Sequence, residues 1–420
     1  MLPEAARNRN NVIDRIAHPS ILTALADTRV VAVLGARQVG KSTLTWRIAT
    51  ADRPMAVVNL DDATLRDAAA SDPAGFLAGY GRPVLIDEVQ RAPDLLLAIK
   101  EIVDADTTPG QFLLTGSANI LTAPKIQDAL TGRAEYVTLW PFAQAEIASA
   151  STNFVDRLLD ADPPRVEAAP VGRDAFVDVI ARGGYPEARA RSDARRRTWY
   201  RDYITSLVER DLRDISDARR LHVVPKLLRL LAAQAANLFN SNSIAGKLNI
   251  RYETVADYTQ LLETIYIVRR VQAWTPGLGS REIQHEKVYI VDSGLMAYLL
   301  GADRTRIAED VQITGKILEN FVAMEIARLA ETSRLQPRQY HYRRRDHEVD
   351  VVLETPDGRI AGAEVKAAAT VRTSDYKGLA KLRGARGDEF IAGVVFYTGA
   401  RTIALTDRIW AVPICSLWTD

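Results

Sequence analysis

The residues from Gly35 to Ser42 have the types and the spacing of a loop that binds phosphate. They read GARQVGKS, satisfy the pattern G-x-x-x-x-G-K-[ST], and lie between an apolar run, VVAVL, and an amphipathic segment. Glycines in such a loop allow backbone N–H groups to surround phosphate oxygens at the start of a helix, where the helix dipole favours an anion. We therefore predict that Lys41 contacts the β- and γ-phosphates of a nucleotide and that the Ser42 hydroxyl binds Mg²⁺. The alternative is a plain glycine turn followed by a chance Lys-Ser pair.

A second apolar run, from Val84 to Ile86, ends in two carboxylates, Asp87 and Glu88. Asp87 at the end of a strand can complete the Mg²⁺ shell, and Glu88 can orient or deprotonate the attacking water. Phosphoryl transfer depends chiefly on positioning and on charge neutralisation, so these groups provide nearly all that hydrolysis requires. The alternative is an apolar strand that happens to be followed by acidic residues.

Two further segments supply residues that could respond to a phosphate. The run FLLTGSAN ends in polar side chains at Thr115, Ser117 and Asn119. Each of them could sense the γ-phosphate at the carboxyl edge of a sheet, or could simply form a turn. Arg133, in LTGR, is the best candidate for a cation that meets the transition-state charge, and its alternative is a surface ion pair. The predicted nucleotide-binding residues are Gly35, Ala36, Arg37, Gln38, Val39, Gly40, Lys41, Ser42, Thr43, Asp87 and Ser117.

The elements that must position these residues follow from the hydrophobic pattern. Between residue 29 and about residue 140, short apolar runs alternate with longer amphipathic segments, as strands alternate with helices around a parallel sheet. Near-continuous apolar runs indicate strands covered on both faces. The predicted strands are Val30 to Leu34, Met55 to Leu60, Val84 to Ile86 and Phe112 to Leu114. A stretch rich in Pro, Ala and Gly from 160 to 172 marks a boundary, after which a mainly helical region and then an α+β region follow.

Several of these motifs together resemble a prokaryotic family of AAA+ ATPases that carry a C-terminal domain of unknown function. The N-terminal motifs are GARQVGKS, VLIDEVQ, LLTGSAN, LTGR and LWPF. The C-terminal motifs are GGYPE (183–187), ERDLRD (209–214), VYIVDSGLMAYLLG (288–301) and GKILENFVAMEI (315–326). The resemblance covers nearly the whole chain, and it implies an AAA+ fold with ATP binding and hydrolysis rather than a defined output.

The middle region contains a pattern typical of a helix-turn-helix. Two short helices, SIAGKLNI (243–250) and RYETVADYTQLL (251–262), are joined by a tight turn. A β pair at 265–271 and 287–291 would complete a winged helix. Such a domain often places its second helix in the major groove of DNA. It can also dock proteins, and the single Arg251 with two acids on this helix gives little positive charge for phosphate contacts.

The C-terminal region predicts a second chemical site. Asp350 ends one alternating segment, and Glu364 and Lys366 end the next, on one face of a strand. Two carboxylates there could bind Mg²⁺ while Lys366 neutralises a phosphate. This arrangement resembles the PD-(D/E)XK nuclease core, which implies Glu319 on the preceding helix as a further acid; Asp350 lacks the preceding proline. The alternatives are a charged hairpin face, or a degenerate core that binds without cutting.

Composition excludes several protein classes. The chain has 420 residues, of which 47% are hydrophobic and 25% charged, so disordered and collagen-like classes are excluded. Its one cysteine, Cys415, cannot form an intramolecular disulfide. Lys plus Arg (54) nearly balances Asp plus Glu (53), so the net charge favours neither nucleic acid nor membrane. The sequence shows no signal peptide and no apolar run of membrane-spanning length, which predicts a cytoplasmic protein without a membrane partner.

The sequence thus predicts an α/β ATPase in three parts. These are an AAA+ P-loop domain (1–165), a helical and winged-helix domain (173–305) and an α+β, restriction-endonuclease-like domain (310–420). ATP and Mg²⁺ are its expected cofactors, Lys41, Glu88 and Arg133 its catalytic residues, and Ser42 and Asp87 its metal ligands. DNA, a protein partner or further copies of the chain are expected partners. The alternatives are a nucleotide-gated Mg²⁺-dependent DNA nuclease and an ATP-switched scaffold that cuts nothing.

Overall fold

The computed structural model describes residues 12–116, 130–168, 173–215, 221–277, 285–344 and 347–419. The chain divides into two compact units. The first comprises Met1–Pro141, Glu209–Ala218 and Thr264–Tyr266, and the second comprises the rest. The domain boundaries expected from the sequence, at 165, 173, 305 and 310, stay predictions. Among the described helices, none combines the length and the apolar character that crossing a membrane requires.

The first unit contains a five-stranded sheet in the order β2-β3-β4-β1-β5, with every neighbouring pair parallel. Its strands are β1 (Val30–Leu34), β2 (Ala56–Asn59), β3 (Val84–Asp87), β4 (Phe112–Gly116) and β5 (Ala134–Thr138). Strands β1, β3 and β4 are buried along their whole length, which explains their continuous apolar runs. The four predicted strands are therefore present to within about two residues. The half-exposed β5 was not predicted, because AEYVT carries no continuous apolar run.

Helices cover this sheet and bury its apolar side chains. They are α1 (His18–Asp27), α2 (Lys41–Arg47), α3 (Ala63–Ser71), α4 (Pro73–Ala78) and α5 (Leu95–Ala105), with a π-helical turn at Ile48–Asp52 and a 3₁₀ turn at Val89–Arg91. The core lies between the strands and α5, where Leu95, Leu96 and Ile99 pack against residues such as Ile86 and Leu114. Because all strands are parallel, their carboxyl ends meet at one edge, which carries the residues after β1, β3 and β4.

The second unit begins with helices and a two-stranded antiparallel sheet. The helices are α6 (Gln144–Ala148), α7 (Phe154–Leu159), α8 (Arg173–Arg182), α9 (Pro186–Arg189), α10 (Asp193–Ser206), α12 (Val224–Gln234), α13 (Ser241–Leu248) and α14 (Tyr252–Thr264). A π-helical turn, Leu207–Asp211, and a short helix, α11 (Leu212–Ile215), follow α10 in the chain, and from Glu209 onward they belong to the first unit. Strands β6 (Val268–Val271) and β7 (Lys287–Ile290) pair after α14. The elements expected of a winged helix are thus present, with Asn249 in the left-handed conformation (φ 53°) ending α13, while the winged-helix assignment stays a prediction.

The C-terminal part of this unit has a six-stranded mixed sheet in the order β12-β13-β11-β10-β9-β8. The strands are β8 (Arg338–Arg344), β9 (His347–Glu354), β10 (Ile360–Lys366), β11 (Phe390–Tyr397), β12 (Ile403–Thr406) and β13 (Ile409–Pro413). The helices are α15 (Ser293–Leu299), α16 (Arg304–Glu309), α17 (Val311–Glu331) and α18 (Lys377–Arg386), with 3₁₀ turns at Thr373–Tyr376, Gly387–Glu389 and Ile414–Leu417. A further 3₁₀ turn, Leu221–Val223, directly precedes α12. Helix α17 packs on β10 and brings its buried face to the centre of the sheet. This strand order places β9 beside β10, where the predicted acids lie.

Candidate functional site

The phosphate-binding loop predicted from GARQVGKS leaves β1 and enters α2. Gly35 has φ 148°, and a Cβ at this position would lie 2.1 Å from the Leu139 carbonyl oxygen, so only glycine fits there. Gly40 has φ 98° and directly precedes Lys41, the first residue of α2. Both motif glycines are therefore required by the backbone path, which is the geometry that the sequence pattern predicts.

Lys41 is held inside this loop. Its side chain is buried, and its Nζ donates to the carbonyl oxygens of Gly35 at 3.0 Å and Ala36 at 2.8 Å. An ammonium held among loop carbonyls can exchange these partners for phosphate oxygens without moving its backbone. The loop thus carries a buried positive charge at the place where the motif requires one.

The hydroxyl of Ser42 and the carboxylates after β3 meet at the carboxyl edge of the sheet. Ser42 Oγ donates to Asp87 Oδ1 at 2.9 Å, and the Thr115 hydroxyl donates to the same carboxylate oxygen. Burial raises the pKa of Asp87, the hydrogen bonds from Thr115 and Ser42 lower it in part, and Glu88 raises it further. A carboxylate and a hydroxyl are oxygen ligands of the kind that Mg²⁺ prefers. Ser42 and Asp87 therefore fit the metal that the motif implies.

Glu88 follows Asp87 in a conformation that side chains rarely adopt. Its φ is 60°, in the left-handed region, and its backbone N–H donates to Thr115 Oγ1 at 3.0 Å. The Gln90 amide donates to the Glu88 carboxylate. Such strain costs about 1–3 kcal/mol and persists at functional sites when neighbours hold it in place. Thr115 thus links both carboxylate residues, so its hydroxyl already has two partners before any phosphate binds. Ser117 and Asn119 lie outside the described residues.

Arg133 lies at the amino-terminal ends of the strands, opposite the carboxyl ends that carry the phosphate loop. Its carbonyl oxygen accepts the N–H of Val30 at the start of β1, whereas the phosphate loop begins after the end of that strand. Five residues of strand separate the two edges by roughly 16 Å. The Arg133 guanidinium pairs with Asp104 through two hydrogen bonds, which lower the pKa of that carboxyl. The structure therefore does not bring Arg133 to the phosphate loop of its own chain, and it shows the surface ion pair that was the alternative.

Sequence reasoning missed one cation beside the loop. Arg15 is buried, and its guanidinium donates to the Val39 carbonyl at 2.8 Å and to the Trp140 carbonyl at 2.6 Å. It thereby ties the phosphate loop to the segment after β5. No motif surrounds Arg15 in the sequence, so nothing in the pattern could have identified it.

The four residues predicted for the C-terminal site come together in the second unit. Glu319 lies on α17, Asp350 on β9, and Glu364 and Lys366 on β10. Asp350 Oδ2 accepts the backbone N–H of Val365 at 2.9 Å, and Lys366 Nζ lies 3.2 Å from Glu364 Oε2. Burial raises the pKa values of Glu319 and Glu364, and Asp350 raises both further. Burial opposes the ionisation of Asp350 as well, but Lys287 and Lys366 hold its pKa below the usual value.

A lysine that the sequence did not predict contacts two of these acids, Glu319 and Asp350, together with Glu348. Lys287, on β7, is 1% exposed, and its Nζ lies 2.8 Å from Glu319 Oε1, 2.8 Å from Glu348 Oε1 and 3.4 Å from Asp350 Oδ1. Within the described residues, no group of three or more His, Cys, Asp or Glu side chains is arranged to hold a metal ion. The strand KVYI gives no signal of this role, because its lysine precedes an apolar run.

A buried carboxylate explains two further motifs of the second unit. Asp292 is 1% exposed and accepts hydrogen bonds from Gly184 N at 2.5 Å, Tyr200 Oη at 2.9 Å and Leu295 N at 2.8 Å. A Cβ on Gly183 would lie 2.5 Å from the same carboxylate. The segments GGYPE and VYIVDSG therefore meet around one buried aspartate.

Comparison with protein families divides the chain into three matched regions. Residues 27–148 match the model of an AAA domain, residues 173–306 that of a domain of unknown function (DUF8612), and residues 314–417 that of another (DUF4143). Together with the first match, the five-stranded parallel sheet confirms that the N-terminal part is an AAA+ P-loop domain. The nuclease-like and winged-helix assignments stay predictions.

Two mycobacterial sequences are similar to this chain over most of its length. The uncharacterized proteins Rv2008c of Mycobacterium tuberculosis and Mb2031c of Mycobacterium bovis are each 29% identical over 411 residues, covering 96% of this chain and 84% of theirs. Among solved structures, the RuvB Holliday junction branch migration motor of Thermotoga maritima is 18% identical with a TM-score of 0.27, covering 63% of this chain and 90% of that one. A DNA replication initiation factor is 12% identical with a TM-score of 0.28, covering 60% and 76%. At these TM-scores neither structure supports an argument about this chain.

Proposed function

We propose that the chain binds ATP together with Mg²⁺ and hydrolyses it at the carboxyl edge of the first unit's sheet. The observation that carries this proposal is the connected set of Ser42, Asp87, Thr115 and Glu88 beside the buried Lys41. A phosphate loop alone would support nucleotide binding. Glu88 supplies the second carboxylate that hydrolysis requires, and Thr115 accepts its backbone N–H.

Each side chain has a distinct part in this chemistry. Lys41 leaves the Gly35 and Ala36 carbonyls and donates to phosphate oxygens, which stabilises the charge that develops on them. Asp87 and Ser42 hold the metal, which when bound neutralises phosphate charge. Glu88 accepts a proton from the attacking water or orients it, at a position fixed by its backbone hydrogen bond to Thr115.

The test separates binding from turnover. In Lys41→Ala we expect nucleotide affinity and ATP turnover to fall together, because the phosphate contact is lost. In Glu88→Gln we expect binding to persist while turnover falls about 10²- to 10⁴-fold. Lys100→Ala is the matched control, since Lys100 is a half-exposed lysine on α5 paired with Asp104. Unchanged turnover in both Lys41→Ala and Glu88→Gln would refute the proposal.

We further propose that nucleotide state is coupled to binding of a partner by the second unit. Helices α13 and α14, with the exposed side chains of Arg251 and Tyr252, support a DNA-binding helix-turn-helix. The partner is DNA if affinity falls steeply with salt and Arg251→Ala weakens it, whereas a protein partner would show a shallow salt dependence. Assembly into an oligomer, with Arg133 acting on a neighbouring nucleotide, belongs to the same proposal.

A Mg²⁺-dependent nuclease is the second candidate function. It is favoured by the gathering of Glu319, Asp350, Glu364 and Lys366 in the second unit, where Asp350 and Glu364 are buried and Glu319 and Lys366 are half-buried. Cleavage of supercoiled and linear DNA in Mg²⁺ or Mn²⁺, compared between the natural chain and Lys366→Ala, tests it directly. Cleavage that is lost in Lys366→Ala would make the chain an ATP-linked nuclease.

A further inference from the structure

The ammonium of Lys287 lies among three carboxylates of the C-terminal region, those of Glu319, Glu348 and Asp350. Its Nζ is 2.8 Å from Glu319 Oε1, 2.8 Å from Glu348 Oε1 and 3.4 Å from Asp350 Oδ1. An ammonium has three N–H donors, so three carboxylate neighbours saturate it. Lys287 is therefore the central cation of an acidic cluster rather than a surface partner of one acid.

The same carboxylate oxygens could hold a metal only if the ammonium were absent. Mg²⁺ binds oxygen ligands at about 2.0–2.1 Å and needs near-octahedral geometry. A nitrogen within hydrogen-bond distance of Glu319 and Asp350 occupies the space that such an ion would need, and like charges at this separation repel strongly in a buried place. Lys287 and a divalent cation thus exclude each other.

The position of Lys287 is fixed by its strand. It pairs with Val271 in the β6–β7 ladder and forms a bridge with Leu238, and its side chain is 1% exposed. Tyr289, two residues along the same strand, is also 1% exposed, and its hydroxyl has no hydrogen-bond partner among the residues that the structure describes. Burial raises the pKa of this hydroxyl, and the positive charge of Lys287 opposes the rise.

We propose that Lys287 is a built-in cation that occupies the place a divalent metal would need beside Glu319 and Asp350, so that the natural chain binds no divalent cation there and cuts no nucleic acid. This inference rests on the nuclease-like arrangement proposed above. It is independent of ATP hydrolysis, because every residue involved lies in the second unit. The C-terminal region then acts as a binding module, and removal of one side chain should convert its cluster into a metal site.

The experiment measures Mn²⁺ binding to the full-length chain without nucleotide, by electron paramagnetic resonance and titration calorimetry. We compare the natural chain, Asp350→Asn, Lys287→Met and the double variant Lys287→Met/Asp350→Asn. We expect the first two to bind the same number of ions. Lys287→Met should gain one ion per chain, and the double variant should lose it. Lys316→Met, a change of an exposed lysine on α17, is the control and should gain none.

Thermal unfolding supplies a readout that does not depend on activity. Lys287→Met should unfold at a lower temperature than the natural chain, because repulsion among the acids is no longer compensated, and Mn²⁺ should restore part of the loss. Binding of an ion by the natural chain that disappears in Asp350→Asn would overturn the proposal, and this comparison needs no change at Lys287. A folded Lys287→Met chain that gains no ion would overturn it too.

The proposed functions and this inference can be refuted by different experimental results. Loss of ATP turnover leaves the Mn²⁺ comparison unaffected. DNA cleavage by the natural chain that requires Lys366 would refute the non-cutting role and support the nuclease instead. If Lys287→Met gains its ion and still cleaves no DNA, that result supports the built-in cation and argues against a nuclease function of the cluster.

Discussion

The hydroxyl of Thr115 gives the sharpest test of how the first unit positions its carboxylates. Thr115 is fully buried, donates to Asp87, and accepts the backbone N–H of Glu88 at 3.0 Å. Thr115→Val keeps the shape of the side chain and removes both hydrogen bonds. Thr115→Ser keeps the hydroxyl and is the matched control.

The magnitude follows from the two bonds. A hydrogen bond to a charged group contributes about 1.5–3 kcal/mol, and a buried N–H left without a partner costs about 1–3 kcal/mol. Thr115→Val should therefore lose roughly 3 kcal/mol of stability, concentrated at β3 and the residue after it. Glu88, held at φ 60°, would no longer be fixed by its N–H. Because a displacement of about 1 Å can cost 10²-fold in rate, we expect turnover to fall about 10- to 100-fold.

The assays are steady-state ATP turnover, equilibrium nucleotide binding and amide hydrogen exchange. Turnover should fall in Thr115→Val and survive in Thr115→Ser, while nucleotide affinity changes by less than about threefold in both. The Thr115 hydrogen bond lowers the pKa of Asp87, so the acid limb of the rate profile should move to higher pH in Thr115→Val. Turnover within about twofold of the natural chain would refute this reasoning. A collapse of affinity with normal turnover at saturation would instead make Thr115 the phosphate sensor.

Five further substitutions, at four residues, test particular features of both units. Glu88→Gly should be more stable than Glu88→Ala by about 1 kcal/mol in thermal unfolding, because only glycine adopts φ 60° without strain, and both should lack turnover. Burial lowers the pKa of His341 to about 4, so below pH 6.5 its imidazole becomes protonated in the unfolded chain while it stays neutral in the folded chain. The free energy of unfolding should therefore fall by about 3 kcal/mol as the pH drops from 6.5 to 4. In His341→Gln this pH dependence, measured by urea titrations, should be smaller. Asp292→Asn presents an amide N–H₂ to the Gly184 N–H, and should cost about 2–4 kcal/mol by urea unfolding, whereas Tyr200→Phe should cost about 1 kcal/mol. Equal losses in these last two variants would contradict the role of Asp292 as a shared acceptor.

The phosphate loop and its sheet were predictable because their signals are local. The backbone at Gly35 and Gly40 requires glycine, and the apolar runs of β1, β3 and β4 reflect burial on both faces. Strand β5 was missed because an edge strand that is half exposed carries no apolar run. The pattern therefore indicated the buried strands and the phosphate-loop backbone, but not the half-exposed strand β5.

Arg133 shows where spacing alone is insufficient. LTGR places an arginine shortly before a strand, but a sequence pattern does not say at which end of a parallel sheet the residue lies. Its hydrogen bond to Val30 places it at the amino edge, beside Asp104. Arg15 illustrates the converse, since its contact with Val39 joins residues 24 positions apart that share no motif.

The C-terminal cluster depends on two regions that the family models treat separately. Lys287 lies in the region matched over 173–306, whereas Glu319 and Asp350 lie in the region matched over 314–417. The backbone connects the same regions, since His341 N donates to the Gln272 carbonyl at 3.0 Å. A polar network that is only partly satisfied costs more than an apolar core. Each region alone would therefore keep buried charges without partners, and this is the physical reason why both belong to one compact unit.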